Sequence, residues 1–205
     1  MSSDIIETIR AGEWALKIYH DDGWDNPREW DNLGTMLTWL RNYDSPDKNR
    51  FATPDDFMDW WQDEGYAEDD GAHLLPVYML DHSGVAFSTS DFNDRWDSGQ
   101  VGWIFATSKD VEGWGAIDVA ARLRDEVKIY GQWANGENYG WTITQSRVCS
   151  HCGHLDEDVI ADCGGFLGSI EVNDIFAGVE LERDVEALLR EALREAAPYV
   201  VSGLS

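Results

Sequence analysis

The sequence predicts an α+β fold in which an antiparallel sheet is flanked by three to four helices, within a single domain spanning residues 1–205. Stretches of period-two alternation are mixed with stretches of helical spacing, without the regular strand–helix alternation of a parallel sheet. Apolar residues make up 43% of the 205 residues, and 11 of the residues are Trp. That composition is sufficient to bury a core, so the chain should fold.

The first elements follow from periodicity and turn residues. Residues 13–20, EWALKIYH, alternate as a strand does, and the HDDGWDNP segment that overlaps their end is typical of a loop. Residues 28–43 predict a helix, because four apolar residues recur there at helical spacing: Trp30, Leu33, Leu37 and Leu40.

A second helix is predicted over residues 54–65. Thr53 suits the N-cap position, Pro54 the first helical position, and the two Asp residues that follow suit the positive end of a helix. Such a helix would end at Gly65. It would expose its carboxylates and bury three rings: Phe57, Trp60 and Trp61.

The middle of the chain predicts strands followed by a helix. The pattern predicts a hairpin formed by residues 76–84 and 85–90, with its turn at Ser83-Gly84. It also predicts a further strand over residues 100–108. A helix over about 115–134 would have an inner face formed by Ile117, Ala120, Ala121, Val127 and Tyr130.

The C-terminal third predicts two strands and a final helix. The strands cover residues 138–150 and 164–172 and are joined by a loop that contains the cysteines. The helix covers about 181–197 and ends at Pro198. Its apolar stripe consists of Val185, Leu188, Leu189, Ala192 and Leu193.

Charge is the strongest compositional signal. Forty Asp and Glu against 15 Lys and Arg give a net charge of −25, a field that repels nucleic acid and anionic lipid. Direct nucleic-acid binding is therefore not expected. Asp outnumbers Glu by 25 to 15 and only four Lys occur, a pattern that also resembles the surfaces of proteins from salt-loving archaea.

The acidic residues are clustered along the sequence and are not spread evenly. Eleven acidic residues and no basic residue lie between Arg50 and Arg95, and eight more lie between Arg147 and Arg183 without a basic residue. A protein face with such a charge cluster would present a DNA-like field to an enzyme that binds phosphates. Aromatic rings beside the cluster could serve as anchors of the complex. The sequence therefore predicts a partner-binding surface with two parts. The first consists of Asp55, Asp56, Asp59, Asp63, Glu64, Tyr66, Glu68, Asp69 and Asp70, and the second of Asp156, Glu157, Asp158 and Asp162.

The CSHCGH segment at 149–154 is the most metal-like motif. Its Cys-x-x-Cys spacing is that of a zinc knuckle. A tetrahedral structural zinc site could consist of Cys149, Cys152 and Cys163 with either His151 or His154 as the fourth ligand. The alternative is a set of reduced thiols in a hairpin. A catalytic cysteine is not expected, because the carboxylates of residues 156–158 should raise a neighbouring thiol pKa.

Catalytic motifs have no positive support in the sequence. Asp81-His82-Ser83 contains the residue types of a hydrolase triad, but consecutive strand positions point to opposite faces, so a turn is predicted. Arg95 should pair with Asp94, Asp97 or Asp81. The chain is predicted not to be an enzyme, and a pocket joining His82, Arg95 and Asp97 would be the first place to test that prediction.

Four segments together resemble a group of small acidic proteins of unassigned function that are encoded by phages and mobile elements. They are PREWDNLGTM at 27–36, YMLDHSG and RWDSGQVGWIF within 78–105, NGENYGW at 135–141 and CGGFLG at 163–168. The resemblance implies a mobile-element context, in which small acidic proteins that imitate DNA block restriction enzymes. The CSHCGH segment departs from it, so zinc is not implied by the resemblance.

The leading hypothesis is a non-enzymatic DNA mimic that inhibits a basic DNA-binding host protein or nuclease complex. The alternative is a zinc-stabilised structural or assembly protein of a halophilic virus or archaeon, acidic for salt tolerance. No run of 18 apolar residues predicts a membrane span, and the first residues lack a secretion signal. The expected location is therefore the cytoplasm of a host cell.

Overall fold

The structure, a computed structural model, describes residues 4–23, 25–94 and 96–204. The chain divides into two compact units. We call residues 4–23 and 136–204 the terminal unit, and residues 25–94 and 96–135 the central unit. Each unit contains a four-stranded antiparallel sheet, so the predicted α+β class with antiparallel pairing is confirmed. The expectations of a single domain and of three to four flanking helices stay predictions.

The described residues form ten strands, five α-helices and two short 3-10 helices. The strands are β1 (Ile5–Ala11), β2 (Trp14–His20), β3 (Thr35–Thr38), β4 (His73–Asp81), β5 (Val85–Ser88), β6 (Ser98–Ala106), β7 (Asn138–Val148), β8 (Leu155–Leu167), β9 (Ile170–Glu171) and β10 (Val201–Ser202). The α-helices are α1 (Pro54–Asp63), α2 (Ser108–Val111), α3 (Val119–Ala134), α4 (Val172–Phe176) and α5 (Arg183–Ala196). The 3-10 helices are Pro27–Glu29 and Tyr66–Glu68. None of the helices within the described ranges is long and apolar enough to cross a membrane.

The central unit places one helix on each face of a sheet with strand order β3-β6-β4-β5. Side chains alternate between the two faces along each strand. Met36 and Ile104 pack with the α3 residue Leu123 on one face, whereas Leu37 and Phe105 pack with the α1 rings on the other. The sheet is therefore the middle layer of three.

The predicted helix over residues 28–43 is wrong. The chain makes a single 3-10 turn there and then enters β3. The apolar residues Met36 and Leu37 belong to the cores on opposite faces of the sheet, which requires strand geometry. A strand that buries apolar residues on both of its faces has no strict period of two, so its apolar residues can coincide with helical spacing. This coincidence explains the wrong prediction.

The terminal unit has a sheet of strand order β1-β2-β7-β8 and a short parallel pair formed by β9 and β10. Helices α4 and α5 cover one face of the sheet through a core that contains Leu16, Ile143, Ile175, Leu189 and Leu193. The predicted strands 13–20 and 138–150 are confirmed as β2 and β7, whereas β1 was not predicted.

Several predicted boundaries required correction. Helix α3 begins at Val119 after an Asp118 N-cap, so Ile117 lies outside the helix and is 40% exposed. Strand β8 begins at Leu155, nine residues before the predicted strand, and the cysteine loop is correspondingly short. Helix α5 matches its prediction closely, but Leu188 is 52% exposed and does not belong to the buried stripe. The hairpin at Ser83-Gly84 and the strand β6 are confirmed.

Candidate partner-binding surface

Helix α1 begins and ends where the sequence predicts. The Thr53 hydroxyl accepts a hydrogen bond from the Asp56 N–H at 3.1 Å, and the Asp56 carboxylate accepts one from the Thr53 N–H at 2.9 Å. This reciprocal capping box satisfies two backbone donors at the start of the helix. Gly65 follows the C-terminus with a φ of 77°, a left-handed conformation that glycine adopts without strain.

A layer of aromatic rings fixes α1 onto the sheet. Phe57 and Trp61, four residues apart, are buried against Leu37 and Phe105 of the sheet. The Trp60 ring, which was also predicted to be buried, is half-buried and packs against the same cluster. This packing leaves the opposite side of the helix in solvent.

The exposed side of α1 and the turn after it carries all eight of the predicted carboxylates. We call residues 54–70 the α1 surface. Asp56 belongs to the capping box, and Asp69 accepts hydrogen bonds from the Gly71 N–H at 2.9 Å and from Ser108. The bond from Ser108 is the larger cause of a lowered Asp69 pKa. Among the described residues, six carboxylates of this surface have no hydrogen-bond or ion-pair partner: Asp55, Asp59, Asp63, Glu64, Glu68 and Asp70.

The predicted aromatic anchor Tyr66 is half-buried at the edge of the ring layer. Its ring centroid lies 5.1 Å from that of Trp61 and 5.5 Å from that of Trp60. The guanidinium of Arg50 lies nearby, 4.9 Å from the Trp60 ring centroid, and therefore faces a ring rather than a carboxylate. The role of Tyr66 in binding a partner stays a prediction.

Three of the four acids of the second predicted patch lie within ion-pair distance of a basic group inside the terminal unit. Lys17 forms an ion pair with Glu157, and its hydrogen bond lowers the pKa of the Glu157 carboxyl. Asp158 lies 3.3 Å from the Arg147 guanidinium, and Asp156 lies 3.4 Å from the His154 ring. Asp162 has no ion pair among the residues that the structure describes.

The position of these acids also has a structural explanation. Strand β8 pairs with β7 on one side and is an edge of the sheet, with most of its residues exposed. Charged side chains on an edge strand discourage pairing with another chain. An edge-strand role therefore accounts for the acids at positions 156, 157, 158 and 162, and their role in binding a partner stays a prediction.

The structure does not assemble the predicted four-ligand zinc set. Cys149, Cys152 and His154 lie in the loop between β7 and β8, but Cys163 lies within β8 opposite Trp141. Seven residue steps along β7 separate Trp141 from Val148 at the loop, a distance of about 23 Å. Within the described ranges, no group of three His, Cys, Asp or Glu residues is arranged to hold a metal ion. Zinc binding stays a prediction.

The cysteine loop lowers the pKa of one thiol. Backbone N–H groups of Cys152 and His151 donate hydrogen bonds to the Cys149 sulfur, and they are the main causes of this lowered pKa. For Cys149, this finding corrects the expectation that the carboxylates of residues 156–158 would raise a neighbouring thiol pKa. All three cysteines are free thiols.

The hairpin tip at residues 81–84 is a turn, as predicted. Ser83 has a φ of 58°, and the His82 N–H donates to the Gly84 carbonyl at 3.1 Å. The His82 ring lies 2.7 Å from the Asp97 carboxylate, with 73% of its side chain exposed. Arg95 lies outside the described residues, so its predicted ion pair is not tested.

An ion-pair network that the sequence did not predict organises the PREWDNLGTM segment. The Arg28 guanidinium contacts Asp47 at 2.7 Å and Glu126 at 3.1 Å, and both side chains of the second pair are almost fully buried. Glu126 also accepts hydrogen bonds from the Leu33 and Gly34 N–H groups and from Arg122. The network fixes the loop that leads into β3.

Three glycines of the resemblance segments are required by close packing. A Cβ atom on Gly34 would overlap the Leu123 side chain, one on Gly102 would overlap the Leu37 carbonyl oxygen, and one on Gly140 would overlap the Tyr19 ring. These three glycines are therefore explained by the packing of the fold.

Comparisons with models of protein families, with curated proteins and with solved structures found no match to this chain.

Proposed function

We propose that the protein is a non-enzymatic inhibitor that presents the α1 surface as a DNA-like field to a basic DNA-binding host protein or nuclease complex. The expected targets are host defence enzymes such as restriction enzymes, in the host cytoplasm. This role agrees with the resemblance of four segments to small acidic proteins of phages and mobile elements.

The observation that carries the proposal is the charge asymmetry of the central unit. The α1 surface contains eight acidic residues and no basic residue, whereas α3 contains two acidic and three basic residues. These two helices cover opposite faces of one sheet. Acids needed only for solubility would be expected on both faces, so the asymmetry favours a surface with a partner.

The spacing of the carboxylates is close to that of DNA phosphates. Five acidic residues between Asp55 and Glu64 occupy about 14 Å of helix axis, which is about one charge per 3 Å. One strand of B-DNA carries one phosphate per about 3.4 Å of axis. A groove that binds a DNA strand would therefore meet a similar linear charge density along α1.

Two carboxylates of the α1 surface are unfavourable for the helix that carries them. Asp63 and Glu64 lie at the C-terminal end of α1, where backbone carbonyls already carry partial negative charge, and the last turn has no basic residue. Carboxylates at that end are unfavourable for the helix. Their presence therefore supports a role in binding a partner, since they do not stabilise the helix.

The test is competition with DNA for a purified restriction endonuclease complex. A fluorescent duplex is bound to the enzyme, and its displacement by the protein is followed by anisotropy. The variant Asp59→Asn/Asp63→Asn/Glu64→Gln removes three charges from the α1 surface, while the control Asp184→Asn/Glu191→Gln/Glu195→Gln removes three exposed charges from α5.

We expect the α1 variant to inhibit at least about tenfold more weakly than the control, since it loses contacts within a basic groove. Inhibition should also weaken steeply between low and high salt, because the attraction is screened. Equal losses in the two variants would mean that net charge alone acts. Inhibition that is independent of salt would contradict mimicry.

A further inference from the structure

The central unit contains a cavity that the proposed inhibitor role does not use. Its volume is about 190 Å³, and its walls come from β3, β4, β5, the loop after β3 and the last turn of α3. Drug-sized ligands occupy cavities of about 300–1,000 Å³. This cavity therefore suits a small molecule or a single head group.

Aromatic rings form much of the wall. Phe87 and Tyr130 lie with their ring centroids 5.2 Å apart and their planes at 67°, and Tyr130 lies 5.8 Å from Trp133. Tyr43 contributes a fourth ring from the loop. Rings set at different angles around one small volume are the arrangement that binds quaternary ammonium groups through cation–π contacts.

The charges around the cavity favour a cation. Asp44 is the one charged residue among the described residues that line it. Tyr130 and Trp133 lie at the C-terminal end of α3, where the helix dipole is negative, and the last turn of α3 contains no basic residue. The Arg28 guanidinium, whose charge acts on Tyr130, is already paired with Asp47 and Glu126, so these features leave negative potential at the cavity.

One buried polar atom lies in the wall without a partner. Thr38 is 4% exposed, and its hydroxyl oxygen has no hydrogen-bond partner among the described residues. Buried hydroxyl groups are normally hydrogen-bonded. A ligand with a donor group beside its cationic centre would meet an available acceptor here.

The geometry points to this cavity as a binding site for an organic cation that carries a trimethylammonium group. The rings surround the methyl groups, and Asp44 with the α3 C-terminus supplies the opposing charge. Two sources share this chemistry: a free molecule such as choline, and a trimethylated lysine side chain. The site is independent of the α1 surface, which lies on the opposite face of the sheet.

Calorimetric titration with choline and with its neutral carbon isostere, 3,3-dimethyl-1-butanol, tests the charge requirement. We expect choline to bind at least about tenfold more tightly, the factor that corresponds to a cation–π contact. Equal binding of the two compounds would identify a purely apolar pocket and overturn the inference, as would the absence of binding by both choline and a trimethyllysine peptide. A peptide that binds more tightly than choline, with no binding of its unmethylated form, would assign the group to a protein partner.

Two variants and one control localise the site. Asp44→Asn and Tyr43→Leu change exposed residues of the loop, so the fold should be retained, and each should weaken choline binding several-fold. Asp59→Asn removes the same charge from the α1 surface and should leave choline binding unchanged. Loss of binding in Asp59→Asn to the same extent as in Asp44→Asn would show a non-specific effect of net charge and overturn the assignment.

Discussion

At the scale of single residues, the buried pair of Arg28 and Glu126 determines the entry into β3. Side-chain exposures of 2% and 1% mean that neither charge is solvated by water. Glu126 is compensated by two arginines and two backbone N–H groups, so its burial is tolerated. Removal of Arg28 would leave a buried carboxylate without its closest buried cation.

We predict that Arg28→Met lowers the free energy of unfolding by about 3–5 kcal/mol, the range seen when one partner of a buried ion pair is removed. The matched control is Arg122→Met, which removes a partly exposed arginine that contacts the same carboxylate, and it should cost about 1 kcal/mol or less. Urea unfolding of both variants measures the difference. An equal decrease in the free energy of unfolding in both variants would show that the burial of Arg28 does not determine its contribution to stability.

This network was not predictable from the sequence. Arg28 and Glu126 are 98 positions apart, and no local pattern connects them. The sequence instead drew attention to Arg95, because it is the one basic residue in an acidic stretch.

The ring cavity was also not predicted, because its residues are far apart in the sequence. Tyr130 was assigned to the core face of a helix, and its neighbours Phe87 and Tyr43 belong to distant segments.

At the scale of elements, prediction succeeded where local signals agreed with tertiary packing. Helix α1 has a capping residue, a proline at its first position, buried rings four residues apart and a terminal glycine, and each feature acts within the segment itself. Strand β3 depends on burial between two layers that come from distant parts of the chain. Its helical spacing was therefore a local signal that packing overrode.

The helix dipole gives α1 two unequal ends, and this predicts opposite effects of the same substitution. Asp63→Lys should raise the free energy of unfolding by about 0.3–1 kcal/mol, because a cation replaces an anion at the negative end. Asp55→Lys should lower it by a similar amount at the positive end. Thermal unfolding of the two variants provides the measurement.

The two variants change the net charge of the protein equally, so each is the control for the other. Stabilisation by both substitutions would show that general repulsion between carboxylates dominates over the helix dipole. In that case Asp63 and Glu64 would not be unfavourable because of their position in α1, and their position would no longer support a partner-binding role. The DNA competition assay should still show weaker inhibition for Asp63→Lys, since that test concerns the partner.

At the scale of the whole molecule, the two units share the net charge almost equally but differ in how they balance it. Residues 25–135 carry 22 acidic and nine basic groups, and residues 1–24 and 136–205 together carry 18 and six. In the central unit, 11 of the acidic residues lie in the base-free stretch between Arg50 and Arg95. In the terminal unit, two of the four β8 acids pair with a lysine or an arginine, and a third lies 3.4 Å from a histidine ring. Equal charge therefore does not mean equal availability to a partner.

Repulsion among 40 carboxylates predicts how stability depends on salt. The Debye length is about 10 Å at 0.1 M and about 3 Å at 1 M, so screening of exposed charges is nearly complete by about 1 M. We expect the free energy of unfolding in urea to rise with sodium chloride up to about that concentration and then to level off. The variant Asp59→Asn/Asp63→Asn/Glu64→Gln has fewer charges to screen and should gain less from added salt. Stability that continues to rise well beyond about 1 M salt exceeds what screening provides. That result would favour salt adaptation over a surface kept acidic for a partner.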